Sequence, residues 1–168
     1  MKKKGEFKLF QIRLNKSIII IRSFQKEDIE IVYNYFQKLS EKTKYFFHPH
    51  PFDRKTAEKL TGPEIDDPDI KRYMAVEDTS KEMIGYVFFW DFAKDFPWLG
   101  ISVRDDFQGK GLGKKLLNFM EQVARNHNKK GIQLTTMKDN EIALHLYKKM
   151  GYKIVGEKHG EHWLKYIF

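Results

Sequence analysis

A glycine-rich segment near the middle of the chain contains residue types that bind phosphate. Gln108-Gly109-Lys110-Gly111-Leu112-Gly113 follows an apolar stretch, and an amphipathic helical pattern begins directly after it. The three glycines lack the Cβ atoms that would keep a ligand away from the backbone. Several N–H groups at a helix start then point the same way, with the positive end of the helix dipole behind them. The segment therefore predicts a site for a phosphate-bearing ligand.

A second segment follows at a distance that allows it to complete the same pocket. It opens on Asn140 and closes on Gly151, and its apolar side chains recur at helical spacing. Asn is a preferred residue at the start of a helix, and Gly is preferred just beyond its end. We interpret the first segment as the holder of a pyrophosphate-bearing cofactor and the second as another wall of its pocket.

The remaining elements must position these two segments. Residues 99–103 predict a strand, and a helix from about Leu112 to Asn126 follows the glycines. The other predicted strands are residues 17–22, 72–77, 83–92, 132–136, 152–155 and 162–167. Between the early strands we predict a helix from Lys26, an irregular aromatic loop, Tyr45–Phe52, and a shorter helix after Asp53. Early hairpins followed by strands joined through helices indicate an α/β mixed sheet with helices on both faces.

Length and composition limit the class of protein. The 168 residues predict one domain, residues 17–168, preceded by a basic extension, residues 1–16, that is a tail or an extra strand. The absence of cysteine excludes disulfides, thiolate metal sites and a cysteine nucleophile. No apolar run is long enough to cross a bilayer, and the polar start lacks a signal-peptide core. We therefore expect a cytoplasmic protein without a membrane partner.

The net charge of +8 is unevenly distributed along the chain. Residues 1–16 and residues 108–130 each carry +5, and the remaining residues together carry −2. A positive field around the glycines would raise the local concentration of an anionic ligand. The basic start has alternative interpretations, as a solvated tail or as a nucleic-acid contact.

With its elements in this order, the chain resembles the GNAT N-acetyltransferase superfamily. The family's acetyl-CoA motif is Arg or Gln followed by x-x-Gly-x-Gly/Ala, which Gln108–Gly113 matches, and the Asn140–Tyr152 segment follows as in the family. The resemblance spans about Ile18 to Val155. It implies a mostly antiparallel sheet with a parallel pair at the cofactor cleft. It also implies transfer of an acetyl group from acetyl-CoA to a primary amine, which we expect to be direct, in a ternary complex and without an acyl-enzyme.

The resemblance also implies roles for individual residues. The backbone of Ile101 and Val103 would pair with the pantetheine arm, and amides from Gly109 to Lys114 would hold the pyrophosphate. Tyr147 would protonate the departing thiolate, although its place on an apolar stripe also suits a core tyrosine. The full implied cofactor set is Ile101, Ser102, Val103, Gln108, Gly109, Lys110, Gly111, Leu112, Gly113, Lys114, Asn140 and Tyr147. Asn140 has a second interpretation as a helix cap, and both roles can hold.

The chain departs from the family where many members carry a glutamate that acts as general base. The corresponding segment reads Phe96-Pro97-Trp98-Leu99 and contains no carboxylate. Ordered water could carry out the deprotonation, and the side chains that could do so are Asp91, Asp95, Tyr45, His48, His50 and His162. The residues expected to contact the acceptor are Tyr45, His48, His50 and Trp98. Two imidazoles without other ligands make a poor metal site, so we expect no metal at the histidines.

Three functions remain open from the sequence. The first is the N-acetyltransferase, whose acceptor is the amine of a small molecule, a peptide or a protein. The second is a CoA-binding regulatory module without catalysis, suggested by the missing carboxylate before Leu99. The third is a basic nucleic-acid-binding protein. The resemblance also allows a homodimer formed through the closing strands.

Overall fold

One sheet of eight strands runs through the computed structural model, which describes residues 9–168. The strands are β1 (Phe10–Leu14), β2 (Ser17–Ser23), β3 (Lys71–Glu77), β4 (Met83–Trp90), β5 (Trp98–Val103), β6 (Gly131–Thr136), β7 (Lys153–Lys158) and β8 (Glu161–Ile167). Their spatial order is β1-β2-β3-β4-β5-β6-β8-β7. Every neighbouring pair is antiparallel except β5 and β6, which are parallel.

Within residues 9–168, five α-helices connect the strands. They are α1 (Ile29–Gln37), α2 (Glu41–Phe46), α3 (Arg54–Thr61), α4 (Leu112–Asn126) and α5 (Glu141–Lys149). Short 3₁₀ turns cover Lys26–Asp28 and Asp105–Phe107. The side chains of Ser40, Asp53 and Asn140 each accept a hydrogen bond from the backbone N–H three residues later. These three helices therefore begin at a residue that satisfies one of their free N–H groups.

The helices cover the two faces of the sheet and enclose a separate core on each. Met74 and Tyr86 point into the core beneath α1 and α3, whereas Ala75 and Val87 point into the core beneath α4 and α5. This alternation follows from the two-residue repeat of a strand. A Cβ at Gly85 would lie 2.9 Å from a methyl carbon of Leu116, so glycine permits the close approach of α4. The predicted fold class is confirmed.

Three predictions about local structure can be compared with the observed elements. The predicted bounds of α4 are confirmed, and residues 10–14 form a strand, one of the two alternatives for the basic extension. Residues 1–8, with most of that extension's charge, lie outside the described part of the chain. The predicted aromatic loop is wrong at its start, because α2 continues to Phe46. The Ser40 cap starts this helix, and Pro49 and Pro51 come only after it has ended.

None of the helices within residues 9–168 combines the length and the apolarity needed to cross a bilayer.

Candidate functional site

The parallel strands β5 and β6 pair only where β5 begins. Their single ladder pair joins Trp98 to Gln133, whose N–H donates to Pro97 O at 3.1 Å. The Arg104 N–H, just beyond β5, donates to Ile84 O of β4 at 2.9 Å. Because adjacent residues of a strand point their backbone groups to opposite sides, those of Ile101 and Val103 face away from β4. They line a space that we call the β5–β6 gap.

Unpaired peptide groups remain along this edge of β5. Within the described residues, Ile101 and Val103 form no ladder pair with β6. The Val103 carbonyl instead accepts a hydrogen bond from Nε2 of Gln108 at 2.9 Å. The edge therefore offers donors and acceptors to an extended ligand that carries amide groups.

The glycine loop, residues 108–114, leads from the 3₁₀ turn into α4. Gln108 N–H donates to Asp105 O, and Lys115 N–H donates to Gly111 O, both at 3.2 Å. The amides of the residues between them, 109–114, donate to no acceptor within the described chain. Gly111 has a φ of +87°, and a Cβ there would meet nothing within 4 Å. Glycine therefore supplies the backbone conformation here, at a helix N-terminus whose amides have no partner within the described residues.

Helix α5 packs next to the glycine loop and carries two predicted site residues. A Cβ at Gly113 would lie 3.3 Å from a methyl carbon of Leu146, which fixes the distance between α4 and α5. Oδ1 of Asn140 accepts from the Ala143 N–H at 3.3 Å, so Asn140 is the helix cap. Tyr147 is 7% exposed, and burial raises the pKa of its phenol. The phenol therefore stays protonated at neutral pH.

Ser102 differs from its neighbours on β5. Its hydroxyl lies 2.7 Å from the hydroxyl of Tyr35 on α1, and its position in the alternation turns its backbone toward β4. The structure therefore does not bring Ser102 to the free edge with Ile101 and Val103. Burial raises the pKa of Tyr35, which keeps that phenol protonated as well. No local signal could have identified Tyr35, because the two residues lie 67 positions apart.

The predicted acceptor residues Tyr45 and His48 lie at the end of α2 and just beyond it. The exposed Tyr45 hydroxyl donates to a carboxylate oxygen of Asp139, in the loop before α5, at 3.4 Å. Nδ1 of His48 lies 2.9 Å from Tyr45 O. Because a carbonyl oxygen only accepts, Nδ1 carries the hydrogen, and Nε2 is the nitrogen that could accept a proton.

His50 belongs to a buried polar group that the sequence did not reveal. Its Nδ1 lies 2.8 Å from Pro51 O, and its Nε2 lies 3.4 Å from the Tyr86 hydroxyl. Nε of Arg72 donates to the same hydroxyl at 3.0 Å, and Arg72 also pairs with Glu64. Burial lowers the pKa of His50. His50 is therefore a neutral ring whose two nitrogens both have partners.

Trp98 lies at the closed end of the β5–β6 gap. Its ring centroid is 6.1 Å from that of Trp163, and Nζ of Lys158 lies 4.3 Å above it. Trp163 donates to Gln133 Oε1 at 3.1 Å. Trp98 therefore lies in an aromatic and basic surface, and none of these contacts joins it to Tyr45 or His50.

The carboxylates considered as general bases are ion-paired at the surface. Asp91 lies 2.6 Å from Nζ of Lys94, and Asp95 lies 2.6 Å from Nζ of Lys130. His162 is on β8, where it is in register with Glu157 of β7. Among the described residues, no three His, Asp or Glu side chains are grouped so that they could hold a metal ion.

Solved structures share this fold over nearly the whole chain. The GNAT domain of S. lividans PAT superposes with a TM-score of 0.83 at 18% identity, covering 95% of this chain and 97% of that one. A Vibrio cholerae spermidine N-acetyltransferase, solved with CoA and spermine, has a TM-score of 0.71 at 19% identity, covering 88% and 92%. At these identities the likeness shows the fold alone.

Sequence comparisons identify the family. An L-amino acid N-acyltransferase of Escherichia coli, MnaT, is 35% identical over 40% of this chain and 42% of its own length. An L-methionine sulfoximine/L-methionine sulfone acetyltransferase of Pseudomonas paraeruginosa is 28% identical over 56% and 61%. The chain thus matches only part of the length of these relatives. The model of the acetyltransferase (GNAT) family matches residues 32–152, most of the chain, and the protein therefore belongs to that family.

Proposed function

We propose that the protein is an N-acetyltransferase that moves an acetyl group from acetyl-CoA to a primary amine. The proposal rests on one observation: the chain has both the free amides of residues 109–114 and an edge of β5 that is not paired with β6. An extended thioester with a pyrophosphate at one end requires both. Membership of an acetyltransferase family supports the same class of chemistry.

The pyrophosphate and the pantetheine arm of acetyl-CoA each have backbone groups on the chain that suit them. Amides 109–114 at the start of α4 would hold the pyrophosphate, and the backbone of Ile101 and Val103 would pair with the pantetheine arm. The Val103 carbonyl accepts one hydrogen bond from Gln108 and has a second lone pair for the arm. When bound, acetyl-CoA supplies an activated acyl group beside the free edge of β5.

The chain's own groups can stabilise both charges that direct attack creates. Negative charge on the carbonyl oxygen can be met by a free N–H of β5. The Tyr147 phenol, which burial keeps protonated, would give its proton to the departing sulfur. Transfer then takes place in a ternary complex: the nitrogen–carbon bond forms, and the carbon–sulfur bond then breaks. The base takes the proton of the amine, and the sulfur takes the proton of Tyr147.

Deprotonation of the amine is assigned to water or to Nε2 of His48. An ammonium group has no lone pair, so the amine must lose a proton before it attacks. Asp91 and Asp95 are ion-paired, and both nitrogens of His50 have partners. His48 has one ring nitrogen bound to a backbone carbonyl and presents the other as an acceptor.

The relatives suggest which amines to test first. Two curated relatives are named for acyl transfer to amino acids or their analogues, and several solved neighbours are spermidine N-acetyltransferases. We therefore propose a panel of free amino acids, methionine sulfone, polyamines and peptides with free N-termini. The test incubates the protein with acetyl-CoA and each amine and measures the free thiol of CoA. Thiol release with a matching amount of acetylated amine is expected for at least one class.

A CoA-binding module without catalysis is the second candidate. It is favoured by the absence of a carboxylate in Phe96–Leu99, where many relatives carry their general base. It predicts tight CoA binding with no thiol release across the whole panel. A single productive amine would exclude it, and complete absence of CoA binding would contradict both candidates.

A further inference from the structure

Helix α2 is attached to both sides of the β5–β6 gap. At its start, the N–H and Oγ of Ser40 donate to the Asp105 carboxylate at 2.9 and 2.5 Å. At its end, the Tyr45 hydroxyl donates to Asp139. Asp105 follows β5 and Asp139 follows β6, so α2 reaches from one side of the gap to the other.

The Asp105 attachment continues into the glycine loop. Oγ1 of Thr43 donates to Oδ1 of Asp105 at 2.9 Å and accepts from Nε2 of Gln108 at 3.1 Å. The same Nε2 donates to the Val103 carbonyl at 2.9 Å. One continuous chain of hydrogen bonds therefore runs from α2 through Thr43 to the residue that opens the glycine loop and to the free edge of β5. We call Asp105, Ser40, Thr43 and Gln108 the α2 latch.

Asp105 has the charge that this arrangement requires. Burial raises the pKa of its carboxyl, but hydrogen bonds from Ser40 and Thr43 outweigh that effect and hold the pKa below its usual value. The carboxylate is therefore ionised at neutral pH and accepts three hydrogen bonds from α2. Hydrogen bonds to an ionised acceptor are stronger than neutral ones.

We propose that Asp105 is a positioning residue. Through Thr43 and Gln108 it connects α2 to the glycine loop, so that α2 becomes more ordered when a ligand occupies the loop. A ligand that immobilises the loop fixes Gln108, and the latch then fixes α2 with its acceptor residue Tyr45. The enzyme thus assembles its acceptor side when the cofactor side is filled. This inference rests on the proposed function, because it takes CoA as the ligand of the loop.

Hydrogen–deuterium exchange with CoA as the probe tests the link. In the wild type, saturating CoA is expected to slow exchange in residues 108–115 and also in α2, by roughly threefold or more. In Thr43→Val, CoA is expected to protect the loop but no longer α2. Thr43→Ser keeps the hydroxyl and is expected to restore protection of α2. Thr61→Val is the matched control, because the Thr61 hydroxyl bonds within α3 and lies outside the latch.

The outcomes separate this inference from the proposed function. Protection of the loop without protection of α2 in the wild type would overturn the latch alone. Equal protection of α2 in Thr43→Val and the wild type would do the same. If CoA protects neither region of the wild type, the proposed function fails, and the latch fails with it. Asp105→Ala removes the acceptor of all three hydrogen bonds at an exposed position and replaces Thr43→Val if that variant does not fold.

Discussion

At the residue scale, Tyr147 has two possible roles, as a proton donor in the reaction and as a packed residue of the core. Its ring lies in the core, 5.7 Å from Tyr152, which suits a structural tyrosine as well as a proton donor. Tyr147→Phe removes only the hydroxyl and is expected to lower kcat by about a hundredfold, the usual contribution of a general acid. The dissociation constant of acetyl-CoA should change far less. Thiol release gives the first quantity and calorimetry the second.

The control for this experiment is the neighbouring buried tyrosine. Tyr152 is 4% exposed, so Tyr152→Phe makes the same deletion in a similar environment. It is expected to leave kcat close to the wild-type value. An unchanged kcat in Tyr147→Phe, or an equal loss in both variants, would remove Tyr147 from the acid role.

The pH dependence of turnover follows from the sign of the Tyr147 shift. Burial raises its pKa above the ordinary 10.0, so the phenol is still a proton donor at alkaline pH. The acceptor amine, in contrast, becomes reactive only as pH rises and its ammonium form disappears. We therefore expect kcat/KM to rise with pH and show no decrease below about pH 10. A decrease between neutral pH and pH 9 that disappears in Tyr147→Phe would contradict this assignment.

Residue roles could be predicted from the sequence only where the partner is near in the chain. Asn140 caps α5 through an N–H three residues later, so its type and position were sufficient. The contacts of Asp105 with Ser40 and Thr43 join residues 65 and 62 positions apart. Nothing local distinguishes such an aspartate from a solvated one, and only the folded chain reveals it.

At the element scale, the packing of β4 against β5 depends on one missing side chain. A Cβ at Gly100 would lie 2.0 Å from Cζ of Phe88. Gly100→Ala is expected to lower the free energy of unfolding by about 1–3 kcal/mol, the usual cost of overpacking. Urea unfolding measures the change. Adding Phe88→Leu removes the ring and should recover part of the loss, whereas purely additive losses would show that this contact is not the cause.

The elements themselves were predictable to the extent that their signals are local. The bounds of α4 follow from the glycines before it and its amphipathic repeat, and the model confirms them. Helix α2 was not predicted, because its end overlaps a cluster of aromatic residues with two prolines that indicates an irregular loop. The gap between β5 and β6 has no sequence signal of its own, and only the family resemblance implied it.

At the scale of the whole molecule, one of the two basic segments of the chain contains the proposed site for the anionic ligand. Within residues 108–130, Arg125 and Lys130 are in ion pairs with Glu121 and Asp95, whereas Lys114 and Lys115 are at the start of α4. Attraction between exposed charges is screened by salt. We therefore expect the affinity for acetyl-CoA to fall steadily as ionic strength rises.

A pair of charge variants makes this prediction specific. Lys114→Gln with Lys115→Gln should weaken binding at low salt and flatten the salt dependence. Lys26→Gln with Lys55→Gln removes the same charge near α1 and on α3, on the opposite face of the sheet, and serves as the control. Equal effects of the two pairs, measured by titration at several salt concentrations, would show that net charge alone matters.

We propose above all that the backbone of the glycine loop is shaped to receive the pyrophosphate of acetyl-CoA. Gly111 and Gly160 are a matched pair, because both have a positive φ, +87° and +80°, and open space around the missing Cβ. Calorimetry of acetyl-CoA binding to Gly111→Val, Gly160→Val and the wild type is the most direct test. We predict an affinity loss of about tenfold or more for Gly111→Val and wild-type affinity for Gly160→Val. Undiminished binding in Gly111→Val, or no binding to the wild type, would contradict the account.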